Sequence, residues 1–569
     1  MAYAFQPTFD IPEICYQHGI TKAVLCPGSR SAPLTLAFAR HKHIETFLFS
    51  DERSAAFIAL GMAQSLGETV VLVCTSGTAA YNFAPAVAEA FFQKIPLLIL
   101  TADRPPEWIA QQDGQTIFQQ NLYGKHVKAF FQLPTEQTHP DAMWQIERQV
   151  SEALNLAASY PPAPVHLNVP LREPFYPKSQ TKPAKQVRII EEWSGERVLP
   201  EALWNELYAL WNDASRKLIV AGQGAKDAAL LEVLNQIEVP LVNDIIGNCH
   251  QVKKAIRYHD AFLMAEQEWA ELKPDLLITF GGSVLSKNLK RFLRKMRPAA
   301  HWHIQAEGEV ADVFQSLTRI IRLTPLAFFE KVLAKQRKFA ETYRNSFFLD
   351  NWYALNAEIA DLNTRYLDPA HQPLFSEFSA VKTLLAALPN TTVLHLGNSM
   401  PVRYANFINL DPTQEVEVFA NRGTSGIDGC NSTALGHALA APDRLHVLLI
   451  GDVSFFYDRN AFWHEHLPKN LRLLVLNNHG SGIFKLVEAG AQPECDNFFV
   501  GKQPLNAKKA AKEYGFEYER VKTEAELAEA LPDFFKKSKV PKILEVEVAL
   551  EDSLQVFQDY KKAVLTINR

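Results

Sequence analysis

Asp452 and Asn478 stand 26 positions apart, each just beyond an apolar run that reads as a buried parallel strand. The runs are His446–Ile450, before Gly451-Asp452, and Leu471–Leu476, before Asn477-Asn478-His479-Gly480, with a helical connection between them. In an open α/β sheet, ligands bind past the carboxyl ends of the strands. The pattern therefore predicts that Asp452 and Asn478 face one crevice from neighbouring strand ends. A carboxylate, an amide oxygen and nearby backbone carbonyls form a hard, all-oxygen donor set, suited to Mg²⁺ rather than zinc and to a metal that also holds phosphate oxygens. Taken singly, Gly-Asp and Asn-Asn-His-Gly are also ordinary turns, and His479 reads as part of such a turn rather than as a base.

The amino-terminal third carries a second group of candidates. Ser29 and Arg30, in Cys26–Thr35 (CPGSRSAPLT), follow a strand and open a helix, where unpaired N–H groups favour an anion. Simple N-capping by a serine explains the same pattern. Glu52, in SDERSAAF, begins a helix directly after a strand, a place that the helix dipole alone would give an acid. Ser76-Gly77-Thr78 form a glycine-containing turn between the strand ending at Cys74 and a helix. Arg104, before two prolines in Thr101–Glu107 (TADRPPE), lies in a non-helical loop able to meet an anion, and Gln115, in QQDGQTIFQQ, offers a neutral hydrogen-bonding group.

These residues need elements to hold them. Strand-like runs at Ala23–Cys26, Glu45–Phe49, Val70–Cys74, Pro96–Leu100 and Pro164–Val169 alternate with helical stretches such as Arg53–Leu66 and Asp141–Ser159. That rhythm predicts a parallel sheet covered on both faces. Residues 187–350 repeat it more loosely, with strands at Lys217–Ala221, Pro240–Val242 and Asp275–Phe280, and residues 351–569 carry the Asp452 region. The expectation is α/β, with three consecutive domains of mainly parallel sheets over 1–180, 187–350 and 351–569. The polar, proline-bearing segment Pro177–Gln186 reads as a linker, and no sequence repeat is visible. Gly222-Gln223-Gly224 lacks the third glycine of a dinucleotide fingerprint and reads as a structural turn.

Length and composition fit such a chain: 569 residues, 47% hydrophobic and 21% charged. A net charge of −5 gives no electrostatic case for nucleic acid or a membrane surface. Six scattered cysteines with no CxxC pair argue against a disulfide framework and a zinc site, and fit a reducing compartment. The first residues lack a basic and apolar leader, and no apolar run reaches the roughly 20 residues of a membrane span. The expected location is the cytoplasm.

The Asp452–Asn478 spacing resembles the diphosphate-binding signature of thiamin-diphosphate enzymes. Six further motifs occur in order: CPGSRSAPLT, SDERSAAF, TSGTAA, TADRPPE, LGNSMPVR (Leu396–Arg403) and NRGTSGIDG (Asn421–Gly429). Together they resemble the synthase family of menaquinone biosynthesis that makes 2-succinyl-5-enolpyruvyl-6-hydroxy-3-cyclohexene-1-carboxylate, and the similarity spans all three domains. The resemblance implies a thiamin-diphosphate-binding fold, with thiamin diphosphate and Mg²⁺ or Mn²⁺ as cofactors. Asp452, Asn478 and the backbone carbonyl of Gly480 are then the metal ligands. It implies Glu52 as the acid set against N1′ of the aminopyrimidine, Ser76, Gly77 and Thr78 as cofactor contacts, Ile427 as the apolar residue that bends the cofactor, and Ile483 and Phe484 as an apolar wall.

The implied reaction decarboxylates 2-oxoglutarate and adds the succinyl-semialdehyde unit to isochorismate. Several carboxylates call for fixed cations, and arginine grips a carboxylate with two parallel hydrogen bonds. The resemblance assigns substrate contacts to Ser29, Arg30, Arg104, Gln115, Lys287, Ser399, Arg403 and Arg422. Arg403 and Arg422 fall to the oxoglutarate end, Arg30 and Lys287 to the isochorismate side. Asn288 after Lys287, and Gly114 before Gln115, depart from the family's usual basic residue and Asn. The family also implies a homodimer or tetramer with active sites at subunit interfaces. The alternatives are another thiamin-diphosphate 2-oxoacid decarboxylase or carboligase, whose pocket is expected to be more apolar, and a non-catalytic binding member of the fold, which has no need of Glu52.

Overall fold

The computed structural model describes residues 5–567 apart from 174, 177–180, 184, 185, 196, 340–345 and 369–373. It contains three six-stranded sheets with helices packed on them, and every strand pairing is parallel. The first sheet comprises β1 (Lys22–Leu25), β2 (Glu45–Leu48), β3 (Val70–Cys74), β4 (Leu97–Asp103), β5 (Phe130–Gln132) and β6 (Val165–Pro170), in the order β2-β1-β3-β4-β6-β5. The second comprises β7 (Lys217–Ala221), β8 (Leu241–Asn243), β9 (Ala255–Ile256), β10 (Leu276–Phe280), β11 (Ala300–Ile304) and β12 (Arg319–Ile321), ordered β12-β11-β10-β7-β8-β9. The third comprises β13 (Val393–Leu396), β14 (Glu417–Phe419), β15 (His446–Gly451), β16 (Leu471–Asn477), β17 (Glu517–Val521) and β18 (Lys542–Glu547), ordered β14-β13-β15-β16-β18-β17. The three-sheet α/β expectation holds.

The apolar runs that predict strands are the central ones. All five residues of β3 and all seven of β4 and of β16 are buried, as a parallel strand covered on both faces requires. The sequence reading names no strand at β5, β9, β11, β12, β13, β14, β17 or β18. Four of these are only two or three residues long, and β11 reads Ala-His-Trp-His-Ile, with polar side chains breaking its run. The first and third sheets share one strand order, a repeat of topology with no counterpart in residue identity, because burial constrains polarity rather than particular side chains. The middle sheet instead has the doubly wound order 3-2-1-4-5-6. Its β7 and β10 turns press together: a Cβ at Gly222 would lie 2.4 Å from the Gly282 carbonyl oxygen. That contact explains the glycines there.

The linker expected at Pro177–Gln186 lies mostly outside the described residues, and position 351 falls within helix Ser346–Tyr366. Helix Glu52–Leu66 of the first unit packs against helix Cys430–Ala440 of the third through glycines on both. A Cβ at Gly61 would sit 2.1 Å from the Thr433 carbonyl oxygen, and one at Gly436 would sit 2.1 Å from that of Ile58.

Beside this crossing, Asp458 is fully buried and accepts hydrogen bonds from Ser432 N (2.7 Å) and Ser432 Oγ (2.8 Å), with Arg53 Nη2 at 3.5 Å. Burial outweighs these partners and pushes its carboxyl up to about 7. An unfolded aspartate titrates near 4, so between about pH 4 and pH 7 the folded chain holds a proton that the unfolded chain has released. Stability from this group therefore falls as pH rises through that window. Asp458→Asn keeps a carbonyl acceptor without the ionisation. Its melting temperature is expected to drop less than the wild type's between about pH 5 and pH 8, and equal slopes in differential scanning calorimetry would refute this assignment.

Candidate active site

β15 and β16 are adjacent and in register, Gly451 opposite Leu476, so Asp452 and Asn478 emerge side by side at their carboxyl ends. Both are buried, at 2% and 8% exposure. Asp452 Oδ1 accepts from Val453 N (2.8 Å) and Oδ2 from Gln503 Nε2 (2.7 Å). Asn478 Oδ1 accepts from Gly480 N (3.0 Å), closing the turn, while its Nδ2 donates to Glu377 Oε1 (3.0 Å). Asn477 Nδ2 donates to Glu545 Oε1 and the Leu505 carbonyl, while its Oδ1 accepts from His479 N and from the Gln503 Nε2 that also reaches Asp452, so Asn477 braces the loop. A Cβ at Gly480 would meet Val500 Cγ1 at 2.9 Å, which packs the turn against the 500–503 segment.

The electrostatics of this end call for a cation. Burial pushes the Asp452 carboxyl up to about 6, and burial together with Asp452 pushes Glu377 up to about 7. No salt bridge reaches either carboxylate among the described residues, and a buried charge without a partner is costly. The Asp452 carboxylate and the Asn478 amide oxygen at neighbouring strand ends, with Glu377 behind Asn478, fit a divalent, oxygen-seeking ion. Glu377 and Gln503 are absent from the sequence reading: Glu377 sits in a helix-start capping sequence that already accounts for an acid, and Gln503 lies 51 residues from the aspartate it braces. Glu377→Ala is expected to weaken Mg²⁺ affinity about 10- to 100-fold, as loss of an outer-shell partner does, measured by calorimetric titration in the presence of thiamin diphosphate. Unchanged affinity would remove Glu377 from the site.

Past the carboxyl end of β2, Glu52 begins its helix while Asp51 supplies the N-cap, accepting from Ser54 N (3.1 Å). Glu52 Oε2 accepts from Asn82 Nδ2 (3.1 Å), and its charge is felt by the thiols of Cys26 and Cys74. Gly77 has φ +91°, and its N–H donates to Gln119 Oε1 (2.9 Å). Gln119, which the sequence reading passes over for Gln115, is the buried anchor of its loop, donating to Ala102 O and Asn168 Oδ1; Gln115 is exposed, its backbone packed on Gly77. The hydroxyls of Thr75 and Ser76 are buried with no hydrogen-bond partner among the described residues, while Thr78 is exposed. The CPGSR turn reaches this loop directly, since a Cβ at Gly28 would lie 2.2 Å from Thr75 Cβ. Near Glu52, contacts to the third unit go to the far end of helix Asp452–Tyr457: Arg53 to the Tyr457 carbonyl and Asp51 to Asn460.

The predicted cations fall into two groups. Arg30 is buried, donates to the Leu171 carbonyl (2.9 Å), stacks over Phe175 (4.4 Å), and lies within electrostatic reach of Arg104, which pairs with Asp113. Ser29 is exposed at the same turn. Arg403, donating to the Ser399 carbonyl, and Arg422, donating to Asn398 Oδ1 (2.9 Å), form the second group; burial, then Arg422, lowers the Arg403 pKa. Lys290 is brought near Arg422, while Lys287, expected on the isochorismate side with Arg30, stands exposed at its helix start. Asn288 donates to the Asp260 carbonyl (2.8 Å), a structural tie where the family often has a base.

Loop Asn421–Gly429 is held by Asn398, which donates to the carbonyls of Asn421 and Gly426, and by Glu89, which accepts from Gly423 N and Thr424. That fixes Ile427, whose carbonyl accepts from Ser454 Oγ (2.8 Å). Ile483 packs on the main core, and Phe484 packs in a small cluster with Cys495, Val500 and Leu550. A separate crevice of about 1110 Å³ opens where the β7 and β10 turns meet Lys94 and Asn248; of the predicted residues only Arg422 lines it.

Comparison with known proteins now gives this arrangement its class. Models of the thiamine pyrophosphate enzymes match in chain order: the N-terminal TPP binding domain over residues 10–127, the middle domain over 191–396 and the C-terminal TPP binding domain over 403–546. The chain is a thiamin-diphosphate enzyme. It is 43% identical over 98% of its length to a 2-succinyl-5-enolpyruvyl-6-hydroxy-3-cyclohexene-1-carboxylate synthase of Cytophaga hutchinsonii, covering 99% of that protein. It is 37% identical to that of Bacteroides thetaiotaomicron (95% and 96% of the two chains) and 38% to that of Desulfotalea psychrophila (91% and 94%). The chain belongs to this synthase family. No helix among the described residues is long and apolar enough to cross a membrane.

Proposed function

We propose that the chain decarboxylates 2-oxoglutarate and joins the remaining succinyl-semialdehyde unit to isochorismate by conjugate addition, releasing CO₂, as a cytoplasmic step of menaquinone biosynthesis. The single observation that carries this beyond its class is the full-length identity to synthases of that product. Support comes from the half-buried Arg403 and Arg422, brought together with no salt bridge among the described residues, as a dicarboxylate site needs.

Thiamin diphosphate, when bound, supplies the nucleophilic carbon and the electron sink for loss of CO₂. In this reading Asp452, Asn478 and the Gly480 carbonyl hold Mg²⁺ or Mn²⁺ and so anchor the diphosphate. Glu52 exchanges a proton with the aminopyrimidine, oriented by Asn82. Ser76, Gly77 and Thr78 line the cofactor, Ile427 supports its bend, and Ile483 and Phe484 close the apolar side. Arg403, Arg422 and Ser399 receive the oxoacid; Arg30, Arg104, Ser29, Gln115 and Lys287 receive the second substrate. In this reading the chain forms a homodimer or tetramer in which one chain's Glu52 serves another chain's metal end.

Incubation of the purified chain with Mg²⁺, thiamin diphosphate, 2-oxoglutarate and isochorismate tests this by mass spectrometry. The expected product has the combined mass of both substrates less CO₂. Release of CO₂ without that adduct would overturn the acceptor assignment and leave the enzyme class intact.

A further inference from the structure

We propose that His395, His437 and His446 form a divalent-metal site of the zinc class, separate from the diphosphate end, that fastens helix Cys430–Ala440 to the third sheet. The three come from different elements: His395 from β13, His446 from the neighbouring β15, and His437 from the helix above them. All are buried, at 4%, 1% and 0% exposure for His395, His437 and His446. One ring nitrogen of each lies within 4.8 Å of the other two. His395 Nε2 and His446 Nδ1 are 3.2 Å apart, close to the roughly 3.3 Å that separates two nitrogens bound tetrahedrally at about 2.0–2.1 Å from zinc.

The surroundings set the imidazoles for binding. His437 Nε2 meets Gln64 Oε1 (3.0 Å) and His446 Nε2 meets the Ala441 carbonyl (3.2 Å). Both oxygens only accept, so each Nε2 carries the proton and each Nδ1 keeps its lone pair. Metal-bound histidines are oriented by such outer partners. The Gln64 amide is itself fixed, since its Nε2 donates to Gln93 Oε1 (3.1 Å) and Gln93 Nε2 donates to Glu89 Oε1 (2.6 Å). Without metal, His395 Nε2–H donates to His446 Nδ1; with metal, the His395 proton moves to Nδ1, and no ring ionises. Burial also keeps the rings neutral, with His446 lowered to about 4.

Cysteine spacing argued against zinc, and 42 and 9 positions separate the three histidines. No metal-binding spacing exists to be read, because the sheet register and one helix create the juxtaposition. The helix so fastened is the one whose Gly436 face packs on helix Glu52–Leu66, so the site would stiffen the seam between the first and third units.

The site is closed, so metal has to be supplied while the chain folds. The full-length protein is produced with Co²⁺ in the medium, then dialysed against a chelator and returned to excess Mg²⁺ and thiamin diphosphate. The expected result is about one Co²⁺ retained per chain, with the intense visible absorption of four-coordinate cobalt, and loss of both in His437→Gln and His446→Gln. An oxygen-rich six-coordinate site gives only weak absorption. Protein that retains no Co²⁺, or shows only the weak band, overturns the proposal whether or not the variants fold. An intense band that persists in both folded variants overturns it too.

Discussion

Glu52→Gln is expected to lower turnover by about 10²–10⁴-fold, the range for loss of a positioned acid–base group, while thiamin diphosphate still binds. The substitution is nearly isosteric and preserves a carbonyl oxygen to accept from Asn82 Nδ2, now 3.1 Å from Glu52 Oε2. It also leaves the helix cap in place, because Asp51 rather than Glu52 accepts from Ser54 N. Fold and cofactor affinity should therefore stay near wild type, so that the loss falls on kcat. Steady-state kinetics with calorimetric cofactor titration separates the two quantities. If turnover is unchanged, Glu52 is only a helix-start acid and the proton exchange belongs to another group. Asn82→Ala sharpens the test, since it frees the Glu52 carboxylate without removing it and should cost much less.

What sequence could reveal here depended on locality. Asp452 and Asn478 lie at the ends of long apolar runs, and the strand register needs nothing more to bring them together. Glu52 and the Gly77 turn were readable for the same reason. Side chains that complete the site from a distance were not. Gln503 reaches Asp452 from a segment without regular structure, Glu377 reaches Asn478 from a capping sequence, and Gln119 was hidden behind the more prominent Gln115 four positions earlier. Lys290, which lies within electrostatic reach of Arg422, stands three residues after Lys287 on the same helix and belongs to no motif that would mark it. The short edge strands escaped because they bury too little to impose an apolar pattern.

Asp452→Ala is expected to abolish detectable thiamin diphosphate binding at Mg²⁺ concentrations that saturate the wild type, and activity with it. The carboxylate is the expected metal ligand, and the carboxyl of its neighbour Glu377 is pushed up to about 7 by burial and by Asp452 itself. Removing Asp452 takes away one source of that upward pressure, so Glu377 should ionise more readily, yet it faces Asn478 Nδ2 and Tyr404 Oη rather than replacing the lost ligand. The apo protein has a different balance. Asp452 is buried with its carboxyl raised to about 6, so in the absence of metal the folded state carries the cost of a confined acid. The alanine variant should therefore be no less stable than the apo wild type near neutral pH, despite losing the bonds to Val453 N and Gln503 Nε2. Adding Mg²⁺ and thiamin diphosphate should raise the melting temperature of the wild type and leave that of Asp452→Ala unmoved, because a ligand stabilises only the state that binds it. A ligand-induced shift in the variant equal to that of the wild type would place the diphosphate anchor elsewhere. A variant that unfolds before ligand is added would show instead that the Val453 and Gln503 hydrogen bonds outweigh the burial of the charge.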